Sequence, residues 1–148
     1  ISASTAHQVA DLLTSVVENG TGEKASVNGY KIAAKTGTSW KYFAPEDSYE
    51  MPNGQRDPYL DINGQRHYTS TVTGFFPAQK PELSMVVIID DPAPIEEQFY
   101  ASHVAAPLFG EIAAWSLRHY QISPFKEVQL SDNNQQAFNG QTIQEGGE

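Results

Sequence analysis

Residues 68–90 read YTSTVTGFFPAQKPELSMVVIID, and they carry the clearest sheet signal in the chain. Tyr68–Phe76 is rich in threonine and alternates polar with apolar residues, which is typical of a strand with one buried face. Leu83–Asp90 is almost continuously apolar, and such a run fits an interior strand covered on both faces. The turn at Pro77–Pro81 is short, so the two strands are predicted to pair antiparallel.

An amphipathic helix is predicted near the start of the chain. Thr5 and Gln8 have the spacing of a capping box, in which each side chain bonds the other residue's free backbone N–H. The apolar residues that follow at helical spacing form one face; they are Val9, Leu12, Leu13, Val16 and Val17. We expect the helix to end at Asn19-Gly20, with Gly20 in the left-handed conformation that glycine adopts at low cost.

A further strand and a second helix are predicted on either side of the central pair. Tyr30–Thr38 (YKIAAKTGT) alternates in the manner of a strand. The second helix is predicted from about Tyr100 to Tyr120, with one apolar face formed by Val104, Leu108, Ile112 and Trp115. Pro107 either breaks or kinks this helix early, or is its first-turn residue.

A long polar stretch, Ser39–His67, separates two of the predicted strands. It contains Asn53-Gly54 and Asn63-Gly64, and Asn-Gly marks tight turns, so we expect two chain reversals or a hairpin. Connections of this length are usually functional or mobile. Three aromatic residues lie near the beginning of this stretch, namely Trp40, Tyr42 and Phe43. They either pack the loop onto the rim of a cleft or form a local hydrophobic cluster.

The order helix, strand, loop, strand, strand, helix indicates an α+β fold (an α/β sandwich). We expect an antiparallel sheet covered by helices on both faces. Three strands are few for an independent sheet, and the apolar third strand needs neighbours that this chain barely supplies. Residues 1–124 are assigned to this domain, and residues 125–148, rich in Gln, Asn and Gly, to a flexible polar tail.

Composition excludes several classes of function. The 148 residues are 39% hydrophobic and carry a net charge of −9, which disfavours nucleic acid as a partner. There is no cysteine, so disulfides, thiolate metal sites and cysteine nucleophiles are excluded. The histidines and carboxylates show no metal-ligand spacing, so we expect neither a metal nor a cofactor. The longest apolar run, Met85–Ile89, falls far short of the roughly 20 residues of a membrane span.

Lys35-Thr36-Gly37-Thr38 is the segment that suggests chemistry. A strand edge can take up an extended peptide through backbone hydrogen bonds. Lysine there supplies positive potential for a carboxylate, threonine hydroxyls donate hydrogen bonds to it, and glycine allows close approach. A backbone N–H just past the glycine can stabilise an oxyanion. By itself the tripeptide K-T-G also fits an ordinary strand end with a solvated lysine.

Residues 1–124 resemble the C-terminal part of the transpeptidase domain of class B penicillin-binding proteins, in the penicillin-recognising serine enzyme superfamily. The K-T-G motif is typical of these proteins. The matching segments follow the family's order and spacing across about five-sixths of the chain; they are TAHQVADLLTSVVENGTG, GYKIAAKTGTS, TVTGFFPAQKPELSMVVIIDDP, YASHVAAPLFGEI and ISP.

The resemblance implies acyl transfer on peptidoglycan, in which a serine attacks the D-Ala–D-Ala end of a stem peptide and β-lactams block that serine. Lys35 would hold the substrate carboxylate and bond the serine of the S-x-N motif. Thr36 and Thr38 would hydrogen-bond the carboxylate, the Thr38 N–H would form half of the oxyanion hole, and Gly37 would keep the edge open.

The resemblance also implies partners and a location. The partners are the N-terminal remainder of the same domain, peptidoglycan stem peptides, β-lactam antibiotics, and proteins of cell division or elongation. The location is the extracytoplasmic face of a bacterial cell membrane, with an anchor outside this chain.

The family's nucleophile and S-x-N motifs precede K-T-G, so we expect both to lie outside this chain and the chain alone to be inactive. Ser123-Pro124-Phe125-Lys126 has the S-x-x-K spacing but follows the last helix, and Ser26-Val27-Asn28 imitates S-x-N in a turn. The alternatives are a serine β-lactamase, a non-catalytic penicillin-sensing domain, and a structural module with an accidental K-T-G.

Overall fold

The computed structural model of this chain describes residues 1–93 and 98–124. Its helices and strands are α1 (Ala3–Asn19), β1 (Ala33–Trp40), β2 (Ser48–Glu50), β3 (Arg56–Asp61), β4 (Tyr68–Phe76), β5 (Leu83–Asp90) and α2 (Ala101–His119). Short 3₁₀ turns lie at Glu23–Ala25 and Pro45–Asp47. The predicted polar tail falls outside the described residues.

Strands β1, β4 and β5 form an antiparallel sheet in the order β1-β4-β5. β4 and β5 have the predicted bounds. β1 begins three residues later than predicted, because Gly29, with φ of 82°, makes a turn that holds Tyr30 opposite Val27. It also runs two residues further, since Trp40 still pairs with Tyr68. The antiparallel sheet with flanking helices confirms the α+β class.

β5 is an edge strand among the described residues. Val87 is buried, whereas Val86 and Ile88 on the opposite face are 58% and 64% exposed. The prediction of an interior strand covered on both faces is therefore wrong for the described part of the chain. The apolar side chains of β5 are therefore wholly or partly buried on one face and exposed on the other. In the described part of the chain, this exposed apolar face lies beside the open edge of β5.

Helix α2 covers one face of the sheet. Its Ala105, Phe109 and Ala113 are fully buried. The Phe109 ring meets Phe76 of β4 edge-on, with 5.9 Å between ring centroids. Small residues bring the helix close to the strands, and burial of a phenylalanine in such a core contributes about 1.5–3 kcal/mol.

The predicted apolar face of α2 is largely wrong. Val104 is buried, but three larger residues of that pattern are exposed, namely Leu108, Ile112 and Trp115. The face that packs on the sheet instead combines small residues with the fully buried Phe109 and Leu117. Pro107 is neither a break nor a first-turn residue: it is the seventh residue of a helix that continues past it.

Helix α1 lies against β1 and buries Thr14 and Val17. Its N-cap is Ser2, whose hydroxyl accepts from the Thr5 N–H, so the predicted cap at Thr5 is wrong by three residues. The helix ends at Asn19 as predicted, but Gly20 has φ of −136° and is not left-handed. Glycine is needed there for lack of space, since a Cβ would lie 2.9 Å from the Val16 carbonyl oxygen.

The predicted polar stretch contains a small hairpin, in which β2 and β3 pair antiparallel. Both Asn-Gly turns occur as predicted, with φ of 81° at Gly54 and 78° at Gly64. The Asp61 carboxylate accepts from the backbone N–H groups of Asn63 and Gln65, which closes the second turn. The hairpin therefore leaves the end of β1 and returns to the start of β4.

Candidate functional site

Lys35–Thr38 lies within β1, an edge strand of the described sheet. β4 pairs with one side of β1 along its whole length. The other side has no strand partner among residues 1–93 and 98–124. The segment that suggests chemistry therefore lies on an edge open to an added strand.

One hydrogen bond beyond the end of β1 gives the direction of its backbone groups. The Lys41 N–H donates to the His67 carbonyl oxygen at 2.9 Å, in the register that pairs β1 with β4. In an antiparallel ladder, hydrogen-bonded pairs alternate with pairs whose backbone groups point away. The odd-numbered residues of β1 therefore bond β4, and Thr36 and Thr38 present their N–H and C=O groups at the free edge.

The Lys35 ammonium lies at this free edge. The side chain is exposed, and its Nζ donates to the Thr36 carbonyl oxygen at 2.7 Å. Side chains alternate between the faces of a strand, so the Cβ of Lys35 lies on the face opposite to the side chains of Thr36 and Thr38. The rest of the Lys35 side chain bends toward the free edge of the strand. A positive charge thus stands beside the free backbone groups.

A groove of about 300 Å³ runs along the same edge, lined by Thr21, Thr36, Gly37, Thr38, Tyr100, Ala101 and Ser102. The Thr36 hydroxyl oxygen is 2.7 Å from the Thr21 hydroxyl oxygen. The Thr38 hydroxyl accepts a hydrogen bond of 3.0 Å from the Ala101 N–H. Both β1 hydroxyls are therefore held by residues from outside the sheet.

The electrostatics of the groove favour an anion. α2 begins at Ala101, so the positive end of its dipole faces the groove. The Lys35 ammonium adds a full charge at the rim. The chain carries a net charge of −9, yet no aspartate or glutamate is among the residues that line the groove. Hydroxyl donors, a helix N-terminus and an ammonium group together can bind a carboxylate.

Gly37 has open space around it. A Cβ on this residue would meet no atom within 4 Å. Packing among the described residues therefore does not demand glycine here. The space lies on the face of β1 from which Lys35 starts, where a bulkier residue would narrow the approach to the edge.

The two imitation motifs lie far from this groove. Ser123 and Pro124 line a separate cavity of about 460 Å³ with Pro77, at the opposite end of the sheet. Lys31, whose carbonyl oxygen accepts from the Ala78 N–H next to Pro77, comes seven residues before Thr38. This separation corresponds to roughly 20 Å of extended chain. Ser26–Asn28 lies in the turn before β1, beside Gly29, which faces Pro124 of that cavity. Lys126 falls outside the described residues.

The aromatic residues after Thr38 form a local cluster with the hairpin, which is one of the two interpretations left open by the sequence. Tyr59 contacts Trp40 and Tyr42 edge-on, with centroid distances of 5.7 and 6.2 Å. The Arg66 guanidinium lies 3.7 Å over the Trp40 ring, a cation–π contact. Phe43 packs edge-on against His67.

Charged residues join the base of the hairpin to the end of β5. The Lys41 ammonium is 2.7 Å from the Asp90 carboxylate, and this hydrogen bond raises the pKa of Lys41 and lowers that of Asp90. His67 contacts Asp91 at 2.7 Å and Asp61 at 3.4 Å. Its pKa is raised, chiefly by the hydrogen bond to Asp91. The pKa of Asp61 is lowered, first by the Gln65 N–H.

Several groove residues were not found from the sequence. Thr21 lies between two glycines in a turn, and nothing in its surroundings suggests contact with a strand fifteen residues later. Tyr100, Ala101 and Ser102 belong to the start of α2, and only the tertiary fold brings that end of the helix to β1. The Ser102 hydroxyl is 3.0 Å from His103 Nδ1.

Neither a metal centre nor a membrane span is found in the described part of the chain. Residues 1–93 and 98–124 hold no group of three or more His, Cys, Asp and Glu side chains arranged for a metal ion. Neither helix in those ranges combines the length and apolarity that a bilayer span requires.

Comparison with known proteins gives consistent matches. The family model described as the penicillin binding protein transpeptidase domain matches residues 1–114. Similar proteins include the probable peptidoglycan D,D-transpeptidase PenA of Neisseria flavescens, 36% identical over 86% of this chain and 28% of that protein. Another is the peptidoglycan D,D-transpeptidase FtsI of Escherichia coli K12, 34% identical over 88% of this chain and 19% of that protein.

Solved structures agree with this fold. The transpeptidase domain of Burkholderia pseudomallei penicillin-binding protein 3 has a TM-score of 0.62 and 26% identity, covering 86% of this chain and 33% of that one. The transpeptidase domain of FtsI4 from Legionella pneumophila has a TM-score of 0.58 and 24% identity, covering 79% and 37%. The chain spans less than two fifths of each of these four relatives.

Proposed function

Because the chain belongs to the penicillin-binding protein transpeptidase domain family, we propose that it supplies the substrate-binding edge of a peptidoglycan D,D-transpeptidase. In this reaction a serine oxygen attacks the carbonyl carbon between the two D-alanines of a stem peptide, and the terminal D-alanine leaves. An amine of a neighbouring stem then takes the acyl group from the serine, which forms the crosslink and restores the hydroxyl.

The open edge of β1 receives the end of the stem peptide as an added strand. The ammonium of Lys35 attracts the terminal carboxylate, and the hydroxyls of Thr36 and Thr38 donate to it. Two contacts support this assignment: the Lys35 ammonium lies 2.7 Å from a carbonyl oxygen of the edge, and both hydroxyls line the adjoining groove.

The backbone N–H of Thr38 provides one half of the oxyanion hole. This role is supported by the hydrogen-bond pattern between β1 and β4, in which residues of β1 alternately bond β4 and face the free edge. The Thr38 N–H faces the free edge, where it can stabilise an oxyanion. Gly37 keeps the approach open, in keeping with the empty space around its Cα. The nucleophilic serine and the S-x-N motif come from another part of the same domain.

The N-terminal remainder of the domain is the proposed partner of β5. Among residues 1–93 and 98–124, the outer edge of β5 has no strand partner, and Val86 and Ile88 form an exposed apolar surface. Strands and helices from the remainder would pair with this edge and cover this face, which also supplies the second helical layer expected from the sequence.

The complete protein acts on peptidoglycan stem peptides, is blocked by β-lactams, and lies at the extracytoplasmic face of a bacterial membrane through an anchor outside this chain. Proteins of cell division or elongation are its proposed cellular partners. The names of the curated relatives support the substrate class, since PenA and FtsI are both called peptidoglycan D,D-transpeptidases.

The proposed function rests mainly on one observation, the position of the Lys35 ammonium at an open strand edge. Replacement of this lysine tests the proposed function. In the complete transpeptidase domain, we expect Lys35→Gln to slow acylation by a fluorescent penicillin by about 100-fold, which is the size of the loss when one preorganised electrostatic donor is removed from an active site. Lys31→Gln is the matched control, because Lys31 is exposed at the distant end of the sheet and pairs loosely with Glu18 at 4.0 Å.

Peptide mapping of the labelled domain locates the nucleophile. We expect the acylated serine to lie outside residues 1–124, and a label on Ser102 or Ser123 would contradict the proposal. Rapid hydrolysis of the acyl-enzyme would indicate a β-lactamase. A stable acyl-enzyme with no transfer from a D-Ala–D-Ala stem mimic to an amine would indicate a penicillin-sensing domain.

A further inference from the structure

Thr21 makes a side-chain contact with the carboxylate-binding edge that the sequence motifs do not include. It lies in the turn after α1, fifteen residues before Thr36, and its hydroxyl oxygen is 2.7 Å from the Thr36 hydroxyl oxygen. It also lines the groove beside Thr38. Thr21 therefore joins the end of α1 to the middle of β1 at the point where the ligand is proposed to bind.

The turn holds Thr21 in this place because of the glycines on both sides. The Gly22 N–H donates to the Val16 carbonyl oxygen at 3.0 Å, so the chain folds back tightly on the last turn of α1. A Cβ at Gly20 would lie 2.9 Å from that same oxygen, and one at Gly22 would lie 3.1 Å from it. The position of Thr21 is thus set by close backbone packing.

The hydrogen-bonding capacity of a hydroxyl shows what this contact does. A threonine hydroxyl has one hydrogen to donate and can accept two hydrogen bonds, whereas a carboxylate only accepts. Thr38 already accepts from the Ala101 N–H, so its own hydrogen is free for a ligand. If Thr21 donates to the Thr36 hydroxyl oxygen, the Thr36 hydroxyl hydrogen is likewise free to bond a ligand.

We propose that Thr21 is a positioning residue, which donates to the Thr36 hydroxyl and thereby turns the Thr36 hydrogen toward the carboxylate of the ligand. This inference rests on the proposed function, because it needs an anionic ligand at the β1 edge. Two donors from outside the sheet, Thr21 and the first N–H of α2, then orient the two β1 hydroxyls in the same manner.

The test compares a penicillin that has a free carboxylate with its methyl ester, using the complete transpeptidase domain. We expect Thr21→Val to lower the acylation efficiency with the acid about tenfold, as weakening of one charge-assisted hydrogen bond would do. The loss should appear in the apparent dissociation constant and not in the acylation rate constant. With the ester the change should be less than about twofold, since an ester carries no charge for Thr36 to meet.

Two further variants separate positioning from a structural role. Thr21→Ser keeps the hydroxyl, so the ratio of acylation efficiencies with acid and ester should equal that of the unmodified domain. Thr21→Ala removes the hydroxyl a second way, so that the test does not depend on the folding of one variant. Thr14→Val is the matched control, because the Thr14 hydroxyl bonds the Ala10 carbonyl within α1 and lies away from the groove.

Three outcomes overturn the inference. Equal losses with acid and ester would show a structural role, and unchanged efficiency with both would show no role. In a Thr36→Val background, a further acid-specific loss on adding Thr21→Val would show that Thr21 does not act through Thr36. If the unmodified domain reacts with neither compound, the proposed function itself fails, which is a result distinct from these three.

Discussion

Thr38 and Lys41 lie three residues apart at the end of β1, yet different kinds of contact hold the two regions to which they belong. The edge around Thr38 is held by ladder pairing with β4 and by neutral hydrogen bonds with Thr21 and with the start of α2. The hairpin region, residues 41–67, is held at its base by ion pairs of Lys41 and His67 and by exposed aromatic contacts.

The difference predicts how each region responds to conditions. Neutral hydrogen bonds and close packing change little with salt or pH, so the geometry of the β1 edge should persist across a wide range. Exposed ion pairs contribute little and are screened by salt. The hairpin should therefore loosen under conditions that leave the edge intact, and substitutions in the two regions should have separable effects.

The largest expected effect comes from Gly74, which lies opposite Ala34 in the ladder. A Cβ at this position would be 2.4 Å from the Ala33 carbonyl oxygen and 2.7 Å from the Ala34 Cβ, so β1 must move away from β4. We expect Gly74→Ala to cost about 3 kcal/mol in the free energy of unfolding, measured by urea denaturation of the complete domain. Penicillin acylation should fall with it, because the edge is displaced.

A smaller effect is expected from the same substitution in the hairpin. Gly54 has φ of 81°, and an alanine Cβ there would meet no atom within 4 Å. Gly54→Ala should thus cost only the backbone strain of a left-handed alanine, about 1–2 kcal/mol. The loss should appear as faster amide exchange in β2 and β3. An equal loss of penicillin acylation would show that the two regions are not separable.

Gly37→Ala completes this glycine series as a control. Its Cβ would also meet no atom, and its backbone is not left-handed. Stability should then stay within about 0.5 kcal/mol of the unmodified domain, as is usual for surface sites. If Gly37→Ala lowers the rate of penicillin acylation, the cause would therefore be hindered approach of the ligand and not impaired folding.

The sequence predicted those parts of the fold that local pattern determines. The bounds of β4 follow from alternation, those of β5 from its continuous apolar run, and both from the prolines beside them. The two Asn-Gly turns follow from the backbone freedom of glycine. The face of α2 that packs on the sheet was predicted wrongly. Leu108, Ile112 and Trp115 have the right spacing, but Phe109 and Leu117 are the large residues that are buried. Which of two apolar faces packs on the sheet is decided by tertiary packing and not by spacing alone.

The candidate site was predictable only where a motif spans consecutive residues. Lys35–Thr38 stands out in the sequence, and the alternation of residues 30–38 predicted that it lies on a strand. That this strand is at an open edge follows from the order β1-β4-β5, which is a tertiary feature. Thr21 and Ala101 could not be found in this way. They reach Thr36 and Thr38 through two different helix ends, so their role depends on tertiary packing that no short segment encodes.

The smallest expected effect is a pH dependence of the hairpin base. The pKa of His67 is raised by hydrogen bonds to Asp91 and Asp61, so the folded state favours the protonated ring. The resulting stability is present below the ordinary histidine pKa and is lost as the pH rises through the raised value. The pKa of Asp61 is lowered, so its contribution is present above the ordinary aspartate pKa and is lost only in stronger acid.

The hairpin base should therefore be best protected in mild acid and less protected above neutral pH. Amide exchange at Lys41 and Asp61, corrected for intrinsic rates, measures this between about pH 6 and pH 8. In His67→Gln the protection should no longer change with pH, because glutamine can still bond a carboxylate but cannot titrate. The Ala101 amide, bonded to Thr38, should keep constant protection in both proteins. Parallel pH changes at Lys41 and Ala101 would mean that the edge and the hairpin open together, and the contrast between the two regions would not hold.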